Sequence, residues 1–139
     1  MIHIQIINAH PKHRIRHTGT IRTARAIVKN EHRGSADIHI IFINDKQMIP
    51  LNGRFLHHLF TTDVVSFPLS EKKDVIEGEI YINLDQAHRQ AREYEVSFRE
   101  EYVRLVIHGV LHLVGYDDKN RNERRCMTEK ENLYLSFVK

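Results

Sequence analysis

Two histidines four residues apart, His108 and His112, stand in the stretch His108-Gly109-Val110-Leu111-His112-Leu113-Val114-Gly115-Tyr116-Asp117-Asp118. On a helix that spacing puts both side chains on one face, about 5–6 Å apart at Cβ. Two imidazoles so placed can reach one ion at about 2.0–2.1 Å. Gly115 stops the helix and lets the chain turn back. Asp118, six residues beyond His112, can then bring a carboxylate to the same ion; its neighbour Asp117 is the alternative. Two imidazoles and one carboxylate form a ligand set of catalytic zinc, one that leaves a fourth position for water. Cys126 reaches that position only from the following helix.

The elements that must position these groups are readable from periodicity. Leu105, Val106, Ile107, Val110, Leu111, Leu113 and Val114 make the helix around the histidines apolar nearly all round, so it is buried. Two buried histidines need partners, which a metal ion or backbone carbonyls can supply. The helix is expected over Ser97–Val114, with Ser97 and Glu100 in the S-x-x-E form of a capping box. Before it, Asp85–Glu95 reads as a helix, and after it Asn120–Phe137 reads as an amphipathic one. Strands are expected at Met1–Asn8, Ala36–Ile43, Asp63–Leu69 and Gly78–Leu84 from alternating apolar residues. Thr20–His32 carries a helical stripe of Ile21, Ala24, Ile27 and Val28. Asn44–Phe55 opens like a helix but holds Pro50 and Gly53, which predicts a short or kinked one. Glu71–Glu77 is charged and reads as a mobile loop. The sum is an α+β fold: one small domain over residues 1–139, a roughly four-stranded mixed sheet packed with helices, and a helix-turn segment that binds metal.

Composition narrows the function. A chain of 139 residues with 41% hydrophobic residues buries one core without staples. No run approaches the length of a membrane-spanning helix, and the start, Met1-Ile-His-Ile-Gln, lacks a charged segment followed by an apolar one, which predicts neither a membrane segment nor a secretory signal. The lone Cys126 suits a reducing cytoplasm. Residues 1–40 hold seven Lys/Arg against two Asp/Glu, a basic third that fits either a polyanionic partner or a solvated helix face and loop.

The sequence also resembles a family. His108 through Asp117 is similar to the signature H-G-x-L-H-L-x-G-Y-D-H of the YbeY-type rRNA-maturation endoribonucleases. Leu51-Asn52, then Thr62-Asp63-Val64-Val65-Ser66-Phe67-Pro68, resembles that family's L-N…P-T-D-V-L-S-F-P, and Gly78-Glu79-Ile80-Tyr81-Ile82 its G-D-I-x-I strand. The likeness runs from about Ile38 to Met127. It implies one zinc ion per chain, with His108, His112 and Asp118 on the ligand offsets. It implies a cytoplasmic, single-strand-directed, metal-dependent endoribonuclease that works on rRNA and ribosomal particles, in maturation of the 16S rRNA 3′ end and in ribosome quality control. It implies no membrane association and no organic cofactor. No general base is assignable.

Two departures stand out. The last signature residue is Asp118 rather than histidine, which makes a bound water a weaker acid and moves the metal preference toward harder ions. The family arginine that precedes the T-D-V stretch has Leu56 at its place, preceded by Phe55. Arg54, His57 and His58 are the nearby substitutes for RNA binding, or ordinary surface residues. Arg121, Arg124 and Arg125 are either phosphate attractors or members of a solvated helix with Glu123 and Glu129. Asp63 either accepts the free N–H of a ligand histidine or caps a strand end. Ser66 bonds backbone, and Tyr116 and Phe67 either stack on a base or pack in the core.

The same histidine, glycine and third-ligand offsets occur in the metzincin proteases, H-E-x-x-H-x-x-G-x-x-H, but Gly109 stands where their glutamate base stands. The alternatives are thus a non-catalytic rRNA- or ribosome-binding module with a structural zinc, and a zincin-like metallohydrolase.

Overall fold

The alternating isoleucines of the first segment form β1 (Ile2–Asn8), one edge of a sheet; a basic connection leads from it into α1 (His17–Glu31). Then follow β2 (Ser35–Ile43), α2 (Asp45–Leu56), β3 (Val64–Pro68), β4 (Val75–Asn83), α3 (Leu84–Glu93), α4 (Phe98–Leu113) and α5 (Arg121–Ser136). The structure is a computed structural model and describes residues 1–56 and 62–138, with the backbone alone at 53–56. Among the described residues, no helix is long and apolar enough to cross a membrane.

The fold is α+β with a four-stranded mixed sheet in the order β1-β2-β4-β3. β1, β2 and β4 are parallel, and β3 runs antiparallel to β4. The parallel pairs need crossovers, which α1 supplies between β1 and β2, and α2 with β3 between β2 and β4. Alternation on β2 sends Ala36, Ile38, Ile40 and Phe42 to one face, where they meet Ile27 and Val28 of α1 and Ile107, Val110 and Leu111 of α4. Burying a side chain such as Phe42 or Leu111 contributes about 1.5–3 kcal/mol. Ile43 lies on the opposite face with Met48 and Val65, and Ile41, Leu51, Phe67 and Tyr81 pack around them. Both faces of β2 are therefore covered at its C-terminal end.

Two boundaries differ from expectation. α1 begins at His17, three residues before Thr20, because the Thr20 hydroxyl donates back to the Arg16 carbonyl at 2.7 Å and the Tyr102 hydroxyl accepts the Arg16 amide at 3.2 Å. Residues 75–77 are strand rather than loop: they pair with Ser35–Asp37 of β2, while Glu77 stays on an open face where charge is tolerated. α2 falls where a helix is expected and holds Pro50, which is exposed, inside it.

Three helix starts set the site. Asn83, fully buried, caps α3 by accepting the amides of Asp85 and Gln86 at 3.0 and 3.2 Å. Its Nδ2 donates to Asp45 Oδ1 at 2.8 Å and to the Thr62 carbonyl at 3.1 Å, tying the starts of α2, β3 and α3 together. Ser97 caps α4 by accepting the Glu100 amide at 3.0 Å. α5 carries a full capping box of Asn120 and Glu123.

Candidate metal centre

α4 presses so closely on the sheet that a side chain at Gly109 would force its neighbours to shift. A Cβ on Gly109 would lie 2.6 Å from Ile80 Cγ2 and 3.2 Å from Ser66 Oγ. Ser66 Oγ donates to the Gly109 carbonyl at 3.3 Å, the backbone role expected of it. A glutamate at position 109 would have to displace Ile80, so the close packing disfavours a zincin-type base there.

The C-terminal turn of α4 reverses the chain. The Gly115 amide donates to the His112 carbonyl at 3.2 Å and the Tyr116 amide to the Leu111 carbonyl at 3.0 Å. Gly115 takes φ +118°, a conformation open to glycine. The reversal lays Asp117 and Asp118 back over the histidines. His108 Nε2 lies 3.5 Å from Asp118 Oδ2. His112, Asp117 and Asp118 offer ligand atoms within 4.8 Å of one another, a group that holds Asp117 in place of His108, so Asp118 is the residue that lies near each histidine in turn. Two ligands each about 2.0–2.1 Å from a tetrahedral ion stand about 3.4 Å apart, which the His108–Asp118 separation meets. His112 Nδ1 is buried and has no hydrogen-bond partner among the described residues. A polar atom so stranded and the donor set beside it fit a metal ion.

The orientation of His108 comes from a residue that periodicity around the histidines did not single out. Glu131 of α5 meets His108 Nδ1 at 2.7 Å and accepts from Arg104 Nη1 at 3.3 Å. It is 8% exposed. With the ring proton on Nδ1, Nε2 presents its lone pair toward Asp118. Burial pushes the His108 pKa down, but the Glu131 hydrogen bond and the carboxylates of Glu131, Asp118 and Asp63 outweigh it and hold it above the ordinary value. A signal for Glu131 was present in the sequence: it is a carboxylate on the buried stripe Met127, Glu131, Tyr134, Leu135 of α5. Asp63, weighed for this role, instead accepts the Val64 amide at 2.7 Å and lines the cleft in front of His108.

The reversal itself is anchored from α1. Glu31 accepts from the Tyr116 hydroxyl at 2.7 Å, from Lys130 Nζ at 3.1 Å and from the Tyr134 hydroxyl. Burial pushes the Glu31 carboxyl up, and these three donors more than reverse it, leaving its pKa below the ordinary value. Tyr116 is thus half-buried structure rather than a free stacking surface. Asp117 accepts the Asp118 amide at 2.8 Å, which holds its carboxyl below the ordinary range.

Of the other residues weighed, Arg121 is exposed at the start of α5, and Arg124 donates to the Lys119 carbonyl at 3.3 Å. Phe67 packs edge-on against Tyr81. Cys126 is exposed. The side chains of Arg54 and Leu56, and His57 and His58 altogether, lie outside the described residues.

Two further groups of described residues bring metal-type donors together: His10 with His13 and Asp85, and His3 with Asp37 and His39. In the first, His10 Nδ1 accepts the amides of Lys12 and His13, each at 3.0 Å, and Nε2 faces Asp85 Oδ1 at 2.8 Å. Both nitrogens of that ring are spoken for, and the cluster pins the β1–α1 connection to α3. The second is exposed on the sheet, with His3 and Asp37 as cross-strand partners.

The model of the family described as Endoribonuclease YbeY matches residues 5–139. A protein named Endoribonuclease YbeY from Chlorobium phaeovibrioides is 40% identical over 117 residues, covering 84% of this chain and 78% of that protein. One of the same name from Cytophaga hutchinsonii is 35% identical over 129 residues, covering 92% and 90%. A solution structure of a Thermotoga maritima protein superposes with a TM-score of 0.65 at 32% identity, covering 99% of this chain and 89% of that one. With the histidine helix, its glycine turn and the match running over nearly its whole length, the chain belongs to the YbeY family.

Proposed function

We propose that the chain acts, as one domain over residues 1–139, as a cytoplasmic, zinc-dependent endoribonuclease. It would cut single-stranded RNA in rRNA maturation, at the 16S rRNA 3′ end, and in ribosome quality control. The support is His108 Nε2 lying 3.5 Å from Asp118, and His112 grouped with Asp117 and Asp118, in a chain whose relatives are named endoribonucleases. These three would hold the ion. When bound, a divalent ion supplies Lewis acidity toward a phosphoryl oxygen and acidifies water. The chain's own residues do the rest. Glu131 keeps the His108 proton on Nδ1 and the ring in place. Gly115 and the Glu31–Tyr116 bond hold the turn that carries Asp118. Gly109 denies the helix a glutamate base, which argues against peptide hydrolysis.

The test is cleavage of precursor rRNA by the zinc-loaded full chain beside His112→Ala. Cutting by wild type alone is expected; equal behaviour of the two would defeat the reading. A substrate with 2′-deoxy sugars at the cut site then identifies the nucleophile, since continued cutting excludes the ribose 2′-hydroxyl.

One observation favours a second reading, a structural zinc in an RNA-binding module. Asp117 lies in the same group as His112 and Asp118, and a fourth ligand would close the site. That reading expects chelation to unfold the chain rather than silence it.

A further inference from the structure

The cleft in front of His108 measures about 310 Å³ and has an unusual charge balance for a site meant to take RNA. Four carboxylates line it: Asp63, Glu101, Asp118 and Glu131. Among the described residues that line it, Arg104 is the one lysine or arginine. Even with a divalent ion at the histidines, the walls stay net negative, by one charge with Arg104 and by two without it, so a phosphodiester entering here has Arg104 as the cationic side chain to face. The position of Arg104 suits that task. It lies one helical turn before His108 on α4, about 6 Å along the axis and on the same face. Its contact with Glu131 uses Nη1 at 3.3 Å, and the side chain remains 28% exposed. Of the five donors of a guanidinium, one is engaged in that contact, and the fork suits a phosphate.

An aromatic ring stands at the rim of the same cleft. Tyr94, at the C-terminal cap of α3, is 56% exposed. Its backbone is held by the Tyr94 amide donating to the Gln90 carbonyl at 2.8 Å and by the turn at Glu95, which takes φ 58°. The floor beneath is tied by Gln90 Nε2 donating to Glu101 Oε2 at 2.8 Å. An exposed ring on a fixed backbone offers a stacking face to any base.

We infer that Arg104 and Tyr94 form a nucleotide subsite beside the metal centre, Arg104 taking a backbone phosphate and Tyr94 stacking the adjoining base of a single strand. The inference rests on the endoribonuclease reading and deepens it, because it assigns the substrate's seat within that cleft. Such a subsite would favour single strands, because a base stacked on Tyr94 is out of any duplex.

The experiment uses the zinc-loaded full chain and a mixed-sequence 12-nucleotide RNA, cleavable for kinetics and 2′-O-methylated for anisotropy. For Arg104→Gln, loss of one charged hydrogen bond should raise KM about tenfold or more, with kcat within about threefold. The slope of affinity against salt should shallow by about one phosphate contact. Arg104→Lys should restore the slope but only part of the affinity. Tyr94→Ala should weaken binding about fivefold or more, and Tyr94→Phe should bind like wild type. Zinc affinity, read by chelator competition, should be unchanged in all four.

Wild-type affinity and salt slope in both Arg104→Gln and Tyr94→Ala would overturn the subsite while wild-type cutting leaves the enzyme reading standing. So would a loss confined to Lys12→Ala/Arg14→Ala, which would put the RNA over the basic connection. Loss of zinc together with RNA affinity in Arg104→Gln would make Arg104 a prop for Glu131 and also overturn it. If the wild type neither binds nor cuts, the endoribonuclease reading falls first and takes the subsite with it.

Discussion

Replacing Glu131 by glutamine tests whether a buried carboxylate on one helix sets the metal affinity of a histidine on another. The substitution keeps volume and leaves an oxygen able to accept from His108 Nδ1, but it removes the charge behind a 2.7 Å contact. It also turns an amide toward the Arg104 guanidinium, which now donates to Glu131 at 3.3 Å. A hydrogen bond to a charged group contributes about 1.5–3 kcal/mol, roughly 10- to 150-fold in an equilibrium constant. Carboxylate partners of metal-bound histidines contribute about 10–100-fold in metal affinity, the same range reached independently. Zinc affinity of Glu131→Gln should therefore fall about 10–100-fold, measured by competition with a chromophoric chelator. Because the effect acts through His108, adding Glu131→Gln to His108→Ala should change zinc affinity by less than about twofold, the usual limit for uncoupled sites. A single variant that binds zinc within twofold of wild type would refute the reasoning. So would an effect that persists at full size in the His108→Ala background.

The packing of α4 makes a second prediction. Gly109→Ala forces a Cβ to 2.6 Å from Ile80, and overpacking of this kind should lower stability by about 1–3 kcal/mol in urea unfolding; a loss below about 0.5 kcal/mol would mean that the helix–sheet contact is looser than described. Gly115→Ala adds a Cβ with nothing within 4 Å, so its cost is the φ of +118° alone, about 1–2 kcal/mol, and it should weaken zinc binding by moving Asp118. Unchanged zinc affinity there would separate the turn from the site. Glu31→Gln gives the pH signature. The folded pKa of Glu31 lies below its ordinary value, so its ionised form stabilises the fold above about pH 4.3 and that stability is lost as pH falls through the depressed value. Wild type should be the more stable of the two at pH 7, and the gap in melting temperature should close toward pH 3; a gap that widens on acidification would show the sign to be wrong.

Much of the metal centre is local and so was legible in the residues themselves. The i, i+4 spacing of His108 and His112 on an apolar helix, the glycine stop at Gly115 and the short offset to Asp118 all lie within eleven residues; helical periodicity puts the two histidines on one face, and the local turn at Gly115 returns Asp118 toward His108. The four strands and their mixed arrangement followed from the alternation of isoleucines and the helices between them. Local pattern failed where pairing partners decide. Residues 75–77 look like charged loop but are strand because Ser35–Asp37 stand beside them in register.

What surrounds the ligands was settled only by the tertiary structure. Glu131 reaches His108 across 23 residues of sequence, and Glu31 reaches Tyr116 across 85. Asp63 and Tyr94 come to the same cleft because the Asn83 junction aligns β3 with α3 and because α3 packs on α4. No periodicity encodes such meetings. A helix repeat dictates which side chains share a face, whereas which faces meet depends on how the whole apolar surface is buried at once, and a buried carboxylate finds its partner only after that burial is complete.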